Sequence, residues 1–478
     1  MNTILHTTNL GQFRKALHQN FNKRADTLMD LLDAMCSMPE ARSVVEYSLA
    51  ACFPRSYSTI FKAVNELELE ELWLPEQLSA YLPRPKKRPF LLLMVDVTPA
   101  PRPHAKNAKT LEDRGMVYQP EVVKGKLPVT IGHQYSTVAL GLEEEAGVSA
   151  SWVLPLLSQR VATSSDKEMV GADQIEKLLR DKKLPFGDEL TVEVADSSYS
   201  KPEYLHAHSQ FSNLVTVARV RANRTFYQQY VPTEEEKQNP GVGHPTWYGK
   251  AFSLSDPQTW TEPVETHTLW ETSRRGKVYR VEIQAWHNLL MTGEHKPKKL
   301  PMHQHPFSLL RIVRYDQQGN PLYKHPLWLI VVGKRRHELT LEQVYQVYAS
   351  RFNMEHFFRF GKQKLNLADF QTPEVKREEK WWQLAHIAYA QLWMARHLVD
   401  ALPRPWERNL PAMKQRLLSP ALVQRDFARI IRQLGTPAQP PKPRGISPGR
   451  RKGMKLPKRL RRKVVVKGQK AAKSAKPA

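Results

Sequence analysis

Four side chains that could act together on a phosphate group lie within a short stretch of the chain: Tyr348, Arg351, Glu355 and Lys362. The residues from 341 to 364 have the pattern of a helix. At about 100° per residue the four side chains share an arc of about 60° on one face. Such a face suits a metal ion on the carboxylate and phosphates on the two cations and the phenol. A solvated helix face with ion pairs between turns shows the same pattern.

Two further carboxylates, Asp96 and Asp196, end apolar runs that predict buried strands. A carboxylate is costly in such a run unless it pairs with a cation or lies at the end of the strand. If the two strands are neighbours in one sheet, the aspartates face each other and the helix can bring Glu355 alongside. Three carboxylates at one point repel one another, so this arrangement predicts divalent cations. Two metal ions about 3.5–4 Å apart are the recurrent use of such a site in phosphoryl transfer.

The elements that must position these acids follow a regular order of three strands, a helix, a strand, a helix and a strand. The predicted strands cover residues 89–98, 128–142, 147–157, 189–195 and 213–220. One predicted helix covers residues 167–181, and another begins near Pro202. Asp96 belongs to the first strand and Asp196 to the fourth. Strands alternating with helices predict an α/β fold.

Other acidic residues compete for the same roles, since 47 of the 478 residues are acidic. Asp188 precedes the fourth strand, Asp369 lies beyond the helix, and Glu112 and Asp113 follow the first strand in a loop. None of them ends a buried strand in the required order. His133, within the second strand, is interpreted as a core histidine rather than a metal ligand.

These acids resemble the catalytic residues of DDE transposases from bacterial insertion sequences, and the resemblance covers roughly residues 87–399. Asp96 in VDVT and Asp196 in VEVADSSYS are similar to the two catalytic aspartates of the family, and Glu355 is similar to its third acid. One branch of the family carries a helix with the spacing Y-x2-R-x3-E-x6-K. The four residues described at the outset match this Tyr-Arg-Glu-Lys spacing without departure.

The resemblance implies a catalytic domain folded like ribonuclease H, a mixed sheet with flanking helices. It implies that Asp96, Asp196 and Glu355 hold two Mg²⁺ ions, for which Mn²⁺ can substitute. It further implies cleavage of double-stranded DNA at the ends of an insertion sequence, followed by joining to target DNA through transesterification. The other three residues of the helix would then bind phosphates. Because family members bring two DNA ends together, a homodimer in the synaptic complex is also implied.

Residues 221–335, between the fifth strand and the long helix, predict a β-rich insertion because apolar and polar residues alternate in places, as in GKVYRVEIQAW. The resemblance implies that this insertion shapes the active site and can receive a flipped base from the transposon end. A tryptophan is a natural platform for an unstacked base. Four tryptophans are candidates, although each is also typical of a protein core; Trp286 is the one we select, and the others are Trp247, Trp260 and Trp270.

Three arginines follow the fifth strand closely: Arg219, Arg221 and Arg224. Their positions predict contacts with DNA phosphates, although solvated arginines show the same spacing.

The formal net charge of +25 predicts a polyanionic partner, of which nucleic acid is the first class to consider. From Pro440 onwards the chain holds fifteen Lys and Arg and no acid, which leaves an excess of +10 elsewhere. Such a tail is expected to be disordered when free and to bind the DNA backbone with strong salt dependence. A solvated tail that only aids solubility has the same composition.

Residues 1–86 are predicted to be helical, since apolar residues recur at helical spacing from Phe13 to Leu32. A second predicted helix covers residues 40–53, and a third covers residues 56–67. A basic segment follows, with Arg84, Lys86, Lys87 and Arg88. Two short helices before such a segment fit a helix-turn-helix that binds DNA ends, and equally a plain helical bundle.

The two cysteines, Cys36 and Cys52, are too few for a disulfide framework or a zinc site, which indicates an intracellular, reducing environment. We expect the protein to be cytoplasmic and nucleoid-associated. No signal peptide is visible. The longest apolar run, residues 90–95, is far shorter than the roughly 20 residues that span a bilayer, so no membrane association is expected.

The sequence as a whole predicts five segments: a helical domain in residues 1–86, a first part of the catalytic core in 87–220, the insertion in 221–335, the completed core with C-terminal helices in 336–438, and the basic tail in 439–478. Two other functions fit the same residues. One is a nuclease with the ribonuclease H fold, and the other is a domesticated relative that binds DNA without cutting it.

Overall fold

The computed structural model describes residues 2–103, 115–118, 128–234, 246–273, 276–295, 298–372, 374–400, 417–443 and 453–455. A large mixed β-sheet flanked by helices forms its centre. The predicted α/β fold with a mixed sheet is therefore confirmed. Within the described residues, no helix is long and apolar enough to cross a membrane.

The helices of the described part of the chain follow the predicted order. They are α1 (Asn2–Asn20), α2 (Ala25–Ser37), α3 (Ser58–Glu66), α4 (Trp73–Ser79), α5 (Lys167–Arg180), α6 (Pro202–His208), α7 (Leu341–Ser350), α8 (Phe352–Lys364), α9 (Val375–Ala395) and α10 (Pro420–Leu434). Of the C-terminal helices expected in residues 336–438, the last described is α10, and residues 401–416 lie outside the described part.

One predicted helix, in residues 40–53, is wrong. The structure has a short 3₁₀ helix there, Val44–Leu49. The Glu46 carboxylate accepts hydrogen bonds from the Arg42 N–H and the Ser43 hydroxyl, each at 3.0 Å. These local bonds stabilise a tight turn at the point where a longer helix would have to begin.

The strands are β1 (Leu91–Pro101), β2 (Gly115–Tyr118), β3 (Val129–Gly141), β4 (Val153–Val161), β5 (Thr191–Ala195), β6 (Leu214–Val220), β7 (Thr225–Gln229), β8 (Tyr248–Ser253), β9 (Glu265–Thr272), β10 (Val278–Leu289), β11 (Glu294–His295), β12 (Lys298–Lys299), β13 (Phe307–Tyr315) and β14 (Leu327–Val332). The large sheet has the order β2-β3-β1-β5-β6-β14-β13-β10-β9, and β4 also pairs with β3. Strands β1, β5 and β6 are parallel to one another, whereas the other pairs are antiparallel.

The predicted insertion contributes its longest strands to this same sheet. Strand β14 pairs with β6, and β13, β10 and β9 follow it outwards. The hairpins β7–β8 and β11–β12 are separate two-stranded sheets. The insertion therefore extends the sheet that carries β1 and β5.

The helices of residues 1–86 pack against the C-terminal helices. Helix α2 contacts both α9 and α10, and α1 contacts α9. A buried ion pair lies inside this layer: Arg14 on α1 forms a two-point contact with Asp33 on α2, and its Nη1 also donates to Gln391 Oε1 on α9 at 2.9 Å. The two ends of the chain thus share one core.

This buried ion pair yields a stability prediction. Replacing Arg14 with Leu leaves the Asp33 carboxylate, whose side chain is 2% exposed, without its cation. We expect the free energy of unfolding to fall by about 3–5 kcal/mol, because an unpaired buried charge is far costlier than a satisfied one. Urea unfolding of the full chain measures the change.

Arg24→Gln is the matched control, because it breaks an exposed ion pair, the one between Arg24 and Glu66. The two side chains are 35% and 36% exposed, respectively. The effect of this variant should stay within about 1 kcal/mol. The double variant Arg14→Leu/Asp33→Leu should recover most of the loss, since it removes both buried charges. A single variant as stable as the wild type would contradict the importance of this pair.

Candidate active site

The parallel pairing of β1 with β5 brings two of the predicted acids to the same level. The pairing runs from Leu91 opposite Thr191 to Met94 opposite Val194. Two residues beyond this last pair stand Asp96 and Asp196. Residues at one level of adjacent parallel strands point to the same face, so the expected juxtaposition of the two aspartates follows from the register.

The sequence predicted that Asp96 ends its strand, but in the structure Asp96 lies within the strand. Strand β1 continues to Pro101, and Asp96 remains opposite Thr137 of β3. On its other side β5 has already ended at Ala195. The antiparallel partner therefore keeps β1 extended, while the end of β5 opens the space beside the Asp96 side chain.

Asp196 begins a 3₁₀ helix, Ser197–Ser200, and its carboxylate accepts a hydrogen bond from the Ser198 N–H at 2.7 Å. The Asp96 carboxylate accepts one from the Val97 N–H at 2.8 Å. Each aspartate is thus oriented by the backbone next to it, and each keeps oxygen lone pairs for other partners.

The predicted single helix of residues 341–364 consists of two helices that meet at Arg351. Helix α7 begins with a capping box in which Thr340 and Gln343 exchange hydrogen bonds, and it ends at Ser350. Arg351 has helical backbone angles (φ −52°, ψ −30°), but the hydrogen bonds around it span three residues instead of four. The break is local, and Tyr348, Arg351 and Glu355 still share one side.

The guanidinium of Arg351 contacts two of the three predicted acids. Its Nη1 lies 3.1 Å from Asp96 Oδ2, and its Nη2 lies 3.6 Å from Glu355 Oε1. Its Cζ also lies 5.9 Å from the centre of the Tyr348 ring. A single cation therefore joins a strand of the sheet to the first turn of α8.

The electrostatics of this group reflect both burial and crowding of charge. Burial raises the pKa of Asp96 to about 6, against the lowering effect of Arg351, and the negative charges of Asp196 and Glu355 add to the rise. Burial also raises the pKa of Tyr348, while Arg351 and Arg219 oppose that rise. The acids thus repel one another, and the arginines compensate in part.

The donor chemistry of this site fits a hard divalent cation, because Mg²⁺ prefers carboxylate oxygens. However, among the residues that the structure describes, no three His, Cys, Asp or Glu side chains lie close enough together to bind one ion. The side chain of Glu355 is 43% exposed and that of Asp96 is 18% exposed. Asp96 is therefore the fixed acid, and Glu355 has room to move.

Of the three arginines predicted to contact DNA, Arg219 is the one that the structure places near Asp196 and Tyr348. Ala218 of β6 pairs with Ala195 of β5, so the next level holds Arg219 beside Asp196. Its side chain is exposed, and its charge acts on Tyr348 of α7. Lys362 lies on α8 two turns after Glu355.

Arg221 and Arg224 follow β6 in a turn that leads away from this level, where the Arg224 N–H donates to the Arg221 carbonyl. Arg221 is exposed. Arg224 is partly buried, and its guanidinium carbon lies 5.9 Å from the centre of the Phe226 ring. Arg224 also lines a cavity of about 450 Å³ with Lys201 and Glu203. The structure does not place these two arginines beside the acids.

Trp286 is wrong as a platform for a flipped base. It is only 3% exposed, its Nε1 donates to the Thr261 carbonyl at 2.8 Å, and its ring packs with Trp260 and Trp328. Because β10 continues the central sheet, this side chain is enclosed in an aromatic core. No ring face is left for a base.

Trp270 is 67% exposed, but it lies on the wrong side of the sheet for this site. Helix α7 lies over the face that carries His267 and Glu271 of β9, since Glu342 is 3.7 Å from His267 and Tyr345 hydrogen-bonds to Glu271. Side chains alternate between faces along a strand, so Trp270 points the other way.

One group of residues that the sequence did not reveal fixes α7 on the insertion. Arg314 of β13 donates to Glu271 of β9 at 2.8 Å and packs over the ring of Tyr279, and Glu271 also hydrogen-bonds Tyr345 of α7. Alternation in β9 and β13 could have placed Glu271 and Arg314 on a face. It could not have shown that they are partners across β10.

The comparison with family models gives one match, to a DDE superfamily endonuclease, over residues 16–291. This range includes Asp96 and Asp196 and ends before α7 and α8. A search of curated proteins gives no match. The matched range covers more than half of the 478 residues, and within it the central sheet sets two aspartates side by side. The chain therefore belongs to the DDE superfamily endonucleases.

Proposed function

We propose that this protein is a DNA transposase that cleaves the ends of an insertion sequence and joins them to target DNA. The observation that carries the proposal is the convergence of three acids from distant parts of the chain: the β1–β5 register aligns Asp96 with Asp196, and Arg351 joins Asp96 to Glu355. The Tyr-Arg-Glu-Lys spacing on α7 and α8 supports a transposase in preference to a simple nuclease.

In this proposal Asp96, Asp196 and Glu355 hold two Mg²⁺ ions, or Mn²⁺ in their place. Bound there, the cations supply activation of the attacking oxygen and stabilisation of the leaving oxygen. Asp96 is fixed by its strand and Asp196 by the turn that it caps. Glu355 is more exposed, is held by an ion pair with Arg351, and completes the set by a small movement of its side chain.

Two phosphoryl transfers account for the reaction. Water first attacks the phosphorus at the element's end and loses a proton to solvent, and the 3′ oxygen leaves, takes up a proton from solvent and becomes a hydroxyl. That hydroxyl then loses its proton and attacks a phosphorus of the target, whose own 3′ oxygen leaves and is protonated, so that a new phosphodiester replaces the broken one. No covalent bond to the protein is needed. The strand being cut is held through its phosphates, so that its reacting phosphorus stays in line with the attacking oxygen. The residues that bind these phosphates are Tyr348, Arg351, Lys362 and Arg219.

The larger parts of the chain have roles in the same proposal. Residues 87–220 and 336–438 form the catalytic core, and residues 221–335 shape the groove beside it. The helical domain of residues 1–86 and the basic tail of residues 439–478 bind double-stranded DNA outside the site. Since two ends must meet, the active complex is a homodimer.

The proposal can be tested by measuring cleavage and strand transfer on DNA that carries the flanking ends of the element. We expect wild type to nick and join such DNA in Mg²⁺. Glu355→Gln should lower both activities by about a thousandfold or more, because the variant loses a charged ligand without losing volume. Binding to the same DNA, measured by gel shift in Ca²⁺, should be retained.

Asp188→Asn and Asp196→Asn form a matched pair at the two ends of β5. Only Asp196→Asn should be inactive, since Asp188 lies before the strand, at the edge far from Asp96. Tight binding to the ends without cleavage by wild type would favour a domesticated DNA-binding protein. Cleavage without strand transfer, on DNA of any sequence, would favour a nuclease.

The arginines at the end of β6 and in the turn after it give a second test, because the structure separates them. Arg219→Gln should weaken DNA binding and flatten the dependence of log K on log salt by about one unit, since one phosphate contact is lost. Arg224→Gln, which removes the same charge five residues on, should leave the slope unchanged. Fluorescence anisotropy at several salt concentrations measures both, and equal slopes for the two variants would contradict the role of Arg219.

The tail gives a third test. A chain that ends at residue 439 lacks fifteen Lys and Arg. We expect it to bind random-sequence duplex DNA at least tenfold more weakly near physiological salt, because backbone contacts contribute mainly through counterion release. Cleavage at saturating DNA should persist. A truncated chain with unchanged affinity would show that the tail only aids solubility.

A further inference from the structure

The Arg351 guanidinium lies where the proposed metal ligands should converge. It contacts Asp96 Oδ2 at 3.1 Å and Glu355 Oε1 at 3.6 Å, and its own side chain is only 17% exposed. The second oxygen of Asp96 already accepts the Val97 N–H. Both oxygens of this carboxylate are therefore engaged.

This arrangement gives two of the three acids a cationic partner. A partly buried carboxylate needs a nearby cation, and the bidentate geometry of a guanidinium allows one side chain to serve two carboxylates. In the described residues no group of three potential ligands is close enough to bind one ion. The Arg351 guanidinium therefore lies between two of the three acids and offsets part of their charge.

Arg351 also has access to another class of partner. It lies at the junction of α7 and α8, close to the Tyr348 ring, and Tyr348 is in turn within the field of the exposed Arg219. Two arginines and a phenol beside one another form a site for a DNA phosphate. A phosphate offers the guanidinium a bidentate contact equivalent to the one it would give up.

We infer that Arg351 couples metal loading to DNA binding: without DNA it pairs with Asp96 and Glu355 and weakens binding of divalent cations, and a phosphate of the strand to be cut draws it away. The inference rests on the proposed function, and it makes the free protein a poor nuclease. Coupling of this kind is reciprocal, so the divalent cation strengthens DNA binding by the same factor.

Binding of Mn²⁺ to the full chain without DNA tests the inference, with the paramagnetic resonance signal of free Mn²⁺ as the readout. Arg351→Gln should bind Mn²⁺ about tenfold more tightly than wild type, because the competing cation is gone. Arg359→Gln is the matched control: it removes the same charge from an exposed position one turn after Glu355 on α8. Its affinity for Mn²⁺ should stay within about twofold of wild type, since an exposed charge is screened by solvent.

Two more variants locate the effect. Asp96→Asn/Arg351→Gln should lose the gain in affinity, which places the ion at these carboxylates. Arg351→Lys should be intermediate, because an ammonium cannot reach two carboxylates at once. This variant also keeps a cation at the site if the glutamine variant does not fold, which circular dichroism and thermal unfolding would show.

The outcomes separate the inference from the function that underlies it. Suppose that wild type binds Mn²⁺ and that both Arg351 variants bind it with equal or lower affinity. This result would overturn the coupling while leaving the metal site in place. Absence of Mn²⁺ binding in every variant at millimolar concentration would overturn the metal site itself, and the coupling with it.

Discussion

The parallel hydrogen bonding between β1 and β5 stops at Met94 and Val194, and the rest of the site depends on where it stops. Beyond that pair β1 continues on β3 alone, whereas β5 turns into a 3₁₀ helix that Asp196 caps. The divergence leaves a gap beside two aspartates at the same level. The Arg351 side chain extends into this gap from the junction of α7 and α8 and contacts Asp96 there. A ligand of the two aspartates would have to lie in the same gap.

The helical layer fixes the other side of the gap. The buried Gln424 of α10 donates to the Lys364 carbonyl at the end of α8 and to the Met35 carbonyl on α2, both at 2.9 Å. Asn366, just after α8, donates to the Ala41 carbonyl and to the Tyr47 hydroxyl. The helix that carries Glu355 is therefore held by residues from both ends of the chain.

Local pattern was sufficient for the features that depend on it. The apolar runs around Asp96 and Asp196 predicted two buried strands, and the fold followed from the order of elements. The failures involve long-range partners. A sequence cannot show that β3 keeps β1 extended past Asp96, or that the alternation around Trp286 belongs to the central sheet and encloses that ring. Nor could the helical pattern reveal the break at Arg351, because its backbone angles remain helical and only its hydrogen bonds change.

The insertion and the active site are mechanically connected through α7. One end of that helix is fastened to the insertion by the contact of Tyr345 with Glu271, which Arg314 holds in turn, whereas its other end leads into the junction at Arg351. An interior packed at the density of a crystal transmits displacement instead of absorbing it. A displacement of β9 or β13 would therefore reach the junction through α7, and the backbone hydrogen bonding there is already irregular. The residue at that junction, Arg351, pairs with two of the acids, so the irregular backbone hydrogen bonding of the helix and the ion pairs of the site meet at one residue.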